Sequence, residues 1–494
     1  MRSNNSVMAR VGLIATLLVA TFFGGCGGGS TGTTTAGGGG TVTTVPAAPT
    51  NVAAWCGNMK VSVLWTAVTG ATSYDVYRST ATGVAGTLLG SSTTTSYVDT
   101  TGTLGATYYY TVKAVNSIGA SAASLEVNDA FYKLVGGAMQ GASLTLGGNV
   151  ITYAGSSGLI GLVDGVGTAA KFNLPFGLTT DGSNVYVADY SNNVIRKIDP
   201  VTQAVSVFAG SSTGLRGSAD GVGTAATFFG PYGITSDGTN LYVTDNNNCT
   251  IRKIDIATAT VSTFAGTVPA SGLCVSPSVD GTGTAASFNY PKGITTDGTS
   301  LYVIENSVVR RINIATRAVT SFAGSTAVVA GHVDAIGTAA RFNNLEGITT
   351  DGTSLFVTDR YYQDIRKIDI ATASVSSLAG NYTNPTTSTS TNGTGVNATF
   401  NLPMGITTDG TNLYVTESSG GVTGGGYVVR KIANGTTAAA GAGVVTTLAG
   451  NPGVPGITDG LGAAALFRSL WGITIYCGNL IIVDSGNSSI RVLY

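Results

Sequence analysis

The chain has one histidine, three tryptophans, five cysteines and only 10% charged residues in a length of 494. A lone histidine, His332, cannot furnish the several imidazoles of a histidine-rich zinc site. Nor can it support a Ser/His/Asp triad with its own set of partners. Within Ala330-Gly331-His332-Val333-Asp334 it reads as an exposed loop residue rather than a base. With 24 Lys and Arg against 25 Asp and Glu, there is no basic stripe to track phosphates, and nucleic acid is excluded as a partner. Long hydrophobic runs are missing as well. The apolar stretch at residues 11–23 is too short to span a bilayer comfortably. Glycine is abundant, at 71 residues, yet no phosphate-cradling loop stands out, since the glycines belong to β-turns and a low-complexity stretch.

What the chain does have is repetition. Six copies of one pattern open at Gly177, Gly233, Gly293, Gly347, Gly405 and Gly472, 54 to 67 residues apart. The second copy reads GITSDGTNLYVTDNNNCTIRKIDIATATVSTFAG, residues 233–266. It contains four short runs, and the longer ones alternate apolar and polar residues as strands do. Asp-Gly pairs at 181, 237, 297, 351 and 409 suit tight hairpin turns, because glycine accepts positive φ. A four-stranded unit cannot bury both of its faces alone, so successive units must pack on one another. The economical architecture is a six-bladed β-propeller. The last copy ends at Ile490-Arg491-Val492-Leu493-Tyr494 without a fourth strand, and a matching run, VITYAG at 150–155, precedes the first copy. That offset predicts a ring closed by an N-terminal strand completing the final blade.

The motifs GIxxD, YVxD, NxxIRKI and xxxAG in residues 177–210, with the preceding loop DGVGTAAKFNLPFG, resemble the NHL-repeat propellers over residues 144–494. Residues 45–127 resemble a fibronectin type III domain, with Trp65, Tyr108 and the closing Asn116-Ser117-Ile118-Gly119 in order. That resemblance implies a β-sandwich with a buried Trp65 and a corner tyrosine at Tyr108. The expected fold is therefore all-β: a fibronectin type III sandwich, a linker at 128–143, then the propeller. Ahead of these, Arg2 and Arg10 precede the apolar run that ends at Phe22-Phe23-Gly24-Gly25-Cys26, which resembles a bacterial lipoprotein signal. This implies a signal at 1–25, lipidation of Cys26 and a Gly/Thr-rich tether at 27–44; an ordinary cleaved secretory signal is the alternative. The expected location is the cell envelope, lipid-anchored at an outer membrane, or secreted.

Outside the cytoplasm the other four cysteines are free to pair. Cys249 and Cys274 fall on loops of one propeller face and form the first expected bridge. Cys56 and Cys477 form a possible second one, with two free buried thiols as the alternative. Each second strand ends in an acid (Asp189, Asp245, Glu305, Asp359, Glu417, Asp484), and each third strand carries an arginine (Arg196, Arg252, Arg310, Arg366, Arg430, Arg491). Recurrence once per blade marks these as structural pairs, since an active site breaks symmetry. Loop acids recur too, at Asp164, Asp220, Asp280, Asp334 and Asp459, with Asn392 in the fifth loop. One carboxylate per loop is thin for calcium, and neither a metal nor a cofactor is expected.

Asymmetry is the better guide to a site. The residue before each opening glycine differs in every copy: Phe176, Tyr232, Lys292, Glu346, Met404 and Trp471. First strands line a propeller's channel, so these six side chains are expected to ring its mouth as a surface for a protein or glycan partner. Unconstrained drift at an exposed position is the alternative. The expected molecule is a monomer without catalytic residues. A lyase or hydrolase using Lys292 and Glu346 as acid and base is the competing reading.

Overall fold

The computed structural model describes residues 43–494, except 157, 271, 273, 275–276, 328–329, 384–388 and 420–424. The expected signal at 1–25, Cys26 and the tether up to residue 42 lie outside the described residues. Those described form strands and short 3-10 turns, in two compact units that divide between Lys133 and Leu134. Among them, no helix is long and apolar enough to cross a membrane.

The first unit is a fibronectin type III sandwich. One sheet joins Ala53–Gly57, Lys60–Leu64 and Ser96–Asp99; the other centres on Ser73–Ser79 and Thr107–Asn116. The long strand Thr107–Asn116 alternates strictly, sending Tyr108, Tyr110, Val112 and Ala114 inward. Trp65 is buried with its ring centroid 5.2 Å from that of Tyr74. Tyr108 is the corner residue: its hydroxyl accepts the Thr103 N–H at 3.1 Å.

The second unit is a six-bladed β-propeller. Blade 1 is typical, with Pro175–Thr180 innermost, then Val185–Asp189, Val194–Ile198 and Ala204–Ala209, all antiparallel. Blade 6 takes its outer strand from the start of the unit. Asn149–Ala154 pairs antiparallel with Ser489–Leu493, setting Val150 opposite Leu493 and Thr152 opposite Arg491. The inner strands meet through their glycines. A Cβ on Gly177 would lie 2.4 Å from the Tyr232 carbonyl oxygen, on Gly233 2.3 Å from that of Lys292, and on Gly405 2.2 Å from that of Trp471. Gly472 completes the circuit against the Phe176 carbonyl, at 2.5 Å. Only a residue without a side chain allows blades this close. Between blades sit six fully buried phenylalanines: Phe172, Phe228, Phe288, Phe342, Phe400 and Phe467.

Residues 128–143, expected as a linker, are instead built into the fold. Val127–Ala130 pairs with Thr107–Asn116, and Lys133–Val135 forms a hairpin with Ala138–Gln140. The tip of that hairpin stops one end of the propeller channel. The Gly137 carbonyl accepts the hydroxyls of Thr179 at 3.0 Å and Thr474 at 2.9 Å, from the last turns of two inner strands. Gln140 donates to the Thr350 carbonyl at 2.8 Å. Strands of three residues carry no visible alternation, and their placement comes from these tertiary contacts.

Cys249, in the turn between the second and third strands of blade 2, is disulfide-bonded to Cys274, with Cα atoms 5.5 Å apart. The bridge closes a loop with a sequence separation of 25. Chain entropy sets its worth at about 3 kcal/mol. The variant Cys249→Ser/Cys274→Ser is therefore expected to melt several degrees lower, which a thermal scan at constant pH checks. Cys56 and Cys477 are both buried, each in its own unit.

Candidate functional site

The repeated charges form a bracket in each blade. In blade 2, Arg252 is fully buried and donates to Asp245 at 2.9 Å and to the loop acid Asp220 at 2.7 Å. It also donates to the carbonyls of Thr227 and Ala219 at 3.0 Å and lies 5.1 Å over the Phe228 ring. The same arrangement recurs at Arg196, Arg310, Arg430 and Arg491, with Asn392 standing in for the loop acid in blade 5. Burial pushes the carboxyls of Asp189 and Asp245 up to about 6, against the opposing pull of hydrogen bonds and the adjacent guanidinium. Loop acid, strand acid and arginine thus staple the inter-blade loop to its blade. Among the described residues, no three His, Cys, Asp or Glu side chains gather as a metal-holding set.

Blade 4 departs from this pattern. It carries a second buried acid, Asp364, opposite Asp359 at the start of its third strand. Arg366 is shared between them and stands off at 3.8 Å from Asp359 and 3.9 Å from Asp364. Burial, and then the neighbouring Asp364, drive the Asp359 carboxyl well above its usual range. His332 answers the extra acid, with Nε2 2.9 Å from the Asp364 carboxylate, its ring stacked on Tyr382 at 4.0 Å, and its side chain only 10% exposed. The expectation of an exposed loop histidine is thereby corrected: a buried carboxylate needs a donor, and His332 supplies it.

The six dissimilar residues converge at the channel end opposite the hairpin. Phe176 stacks on Trp471 with centroids 4.1 Å apart and packs on Tyr232 at 4.9 Å. The Tyr232 hydroxyl donates to Glu346, whose other oxygen accepts from Lys292 Nζ at 2.9 Å. Lys292 also donates to the Asn344 side chain at 2.7 Å. Burial first, and the Glu346 carboxylate next, raise the Tyr232 phenol well above its ordinary range. Phe176, Tyr232, Lys292 and Trp471 are half-buried, whereas Glu346 and Met404 are buried. Those last two correct the expectation of six side chains displayed on a rim: Met404 is buried and lines the channel cavity, and Glu346 ties Tyr232 to Lys292. Below the aromatic group lies a cavity of about 80 Å³, bounded by the inner-strand glycines and Leu178, Ile234, Ile294, Ile348, Ile406 and Ile473. It has room for a few waters and not for a folded ligand.

Two contributors escaped the sequence reading. Tyr190 packs on Phe176 at 4.5 Å and extends the aromatic group. Arg360 donates its backbone N–H at 3.2 Å to the carbonyl of Asn344, whose side chain holds Lys292. Both follow the acid that ends a second strand, a position occupied in the other blades by Asn246, Asn306, Ser418 and Ser485. It varies between copies as freely as the ring position, and that variation was the available signal.

No family model matches the chain. A stretch of 110 residues is 40% identical to NHL repeat-containing protein 2 of Bos taurus, covering 21% of this chain and 15% of that protein. The chain therefore spans well under two thirds of the curated relative. The solved structure of a protein of unknown function from Bacteroides thetaiotaomicron matches 89% of this chain and 94% of its own, with a TM-score of 0.51 at 18% identity. That likeness is one of fold. A fibronectin-type-III-like protein from Clostridium thermocellum is 35% identical over 18% of this chain and 98% of its own, with a TM-score of 0.17.

Proposed function

We propose that this protein is a non-catalytic binding protein of the bacterial cell envelope. Lipidated at Cys26 and held off the membrane by its tether, it presents the channel mouth of its propeller to a protein or glycan partner. The observation that carries this reading is the contrast between scaffold and mouth. The Arg–acid–Phe brackets repeat around the ring, while Phe176, Tyr232, Lys292, Glu346, Met404 and Trp471 all differ and meet in one cluster. Half-buried aromatic side chains beside a charged pair are the usual makings of a binding hot spot. The bonding of Lys292 and Glu346 weighs against their use as acid and base. Glu346 accepts from both Tyr232 and Lys292, and Lys292 is spent on Glu346 and Asn344. A proton-transfer pair needs a free lone pair or an unshared proton within reach of substrate.

The test is the purified protein on arrays of defined glycans and peptides, beside the variant Tyr232→Ala/Trp471→Ala and the milder Tyr232→Phe. Ligands held by the parent are expected to fall about tenfold or more in the double variant, since each lost aromatic anchor costs on the order of 1–2 kcal/mol. Turnover of an arrayed glycan by the parent protein would overturn the reading.

A further inference from the structure

We propose that the channel mouth takes a carboxylate-bearing sugar ring, a uronic acid residue, with Arg360 as its anion contact. This rests on the binding reading above and names the chemistry of the ligand.

Charge at the mouth points to an anion. Lys292 and Glu346 neutralise each other at 2.9 Å. Asp359 has Arg366 and the Asn343 N–H, and Asp364 has His332. Arg360 is left over. Its Nε is buried without a partner, and its guanidinium has no side-chain hydrogen bond or ion pair to any described residue. The residue is half-buried, and its backbone N–H donates at 3.2 Å to the carbonyl of Asn344, whose side chain accepts from Lys292 at the mouth. In the other five blades the same position is uncharged, at Tyr190, Asn246, Asn306, Ser418 and Ser485. Partial removal of a guanidinium from water without an anion is unfavourable, and a bound carboxylate, which matches its fork bidentately, reverses that cost.

The make-up of the mouth points to a compact ring with an apolar C–H face. Trp471, Tyr190 and Tyr232 pack around Phe176 as one aromatic group, with their centroids 4.1, 4.5 and 4.9 Å from that of Phe176. Such a surface accepts the C–H face of a pyranose. Beside it, the Ser418 and Ser469 hydroxyls lie 3.2 Å apart, and Ser469 also accepts the Trp471 indole N–H at 3.1 Å. These hydroxyls can exchange hydrogen bonds with sugar hydroxyls. Nothing can thread further. The cavity beneath is about 80 Å³, and the Gly136-Gly137 tip stops the far end of the channel. A ligand must lie across the mouth, so a compact ring bearing its charge at one edge fits better than an extended peptide.

Trp471 is the only tryptophan of the 134–494 unit, and Trp55 and Trp65 are buried in the other. The test titrates the purified protein with galacturonate and glucuronate oligomers and with their methyl esters, followed by tryptophan fluorescence and calorimetry. The esters keep the ring and remove the charge. Saturable binding of an acid oligomer is expected, with its ester about tenfold or more weaker, the gap one charge-assisted contact makes. Arg360→Gln is expected to bring the acid down to the level of the ester, and Arg360→Lys to restore part of the difference, both at an unchanged melting temperature. Equal binding of acid and ester, or an unaffected Arg360→Gln variant, overturns this inference and leaves the binding reading standing. Failure of every acid oligomer to bind also overturns it. The binding reading falls with it only if the array ligands are likewise insensitive to Tyr232→Ala/Trp471→Ala.

Discussion

Arg252→Met is expected to lower the stability of the propeller by about 3–5 kcal/mol, the cost of leaving a buried carboxylate without its counter-charge. The side chain is fully buried, and four acceptors depend on it: Asp245, Asp220 and the carbonyls of Thr227 and Ala219. Methionine refills most of the volume and keeps the contact with Phe228, so the loss reports charge and hydrogen bonds rather than a cavity. Asp245 keeps the Asn248 amide and the Phe229 N–H but loses the cation paired with it, the only one among the described residues. Adding Asp245→Asn is expected to recover a substantial part, because the stranded charge is then gone. Asp220 differs from Asp245, its side chain being 51% exposed. Asp220→Ala is expected to cost under about 1 kcal/mol, as exposed partners do. Urea unfolding of the four proteins checks the series. A cost below about 1 kcal/mol for Arg252→Met would mean that the brackets do not hold the blades.

Gly405→Ala is expected to damage the ring itself. Its Cβ would stand 2.2 Å from the Trp471 carbonyl oxygen and 3.1 Å from the Gly472 Cα, both backbone atoms of the next blade. No rotamer change relieves such a clash, so two inner strands must part, at about 3 kcal/mol or more. Because Trp471 heads the displaced strand, its fluorescence should shift along with the melting temperature. A variant with parent stability and an unmoved tryptophan spectrum would contradict the close approach of the inner strands.

The repeats made most of the propeller legible. Period-2 runs such as LYVTD and TIRKID show their buried face directly, and the run VITYAG at 150–155, which matches the outer strands of the other copies, marks the residues that pair with Ser489–Leu493. Trp65 and Tyr108 could be read because a sandwich places them at recurrent corners. Burial within the mouth was less accessible. Position along a strand says that Met404 and Glu346 stand at the channel end; only the packing of neighbours says that they are covered. His332 misled for a related reason. The Asp364 that captures it lies 32 positions away on another strand, and nothing local to the loop announces it. The hairpin tip at Gly136-Gly137 is held by threonines from several blades, a contact that exists only once the ring has closed.

The proposed binding surface is the set of dissimilar residues at the channel mouth. The most direct measurement is the affinity of an array-selected ligand for the parent protein and for Tyr232→Ala/Trp471→Ala, by calorimetry, with melting temperatures recorded in parallel. A loss of about tenfold or more is expected, with the double variant melting lower but still folded at the temperature of the titration. Equal affinity for both proteins would place the partner elsewhere on the molecule and rule out the channel mouth as its site.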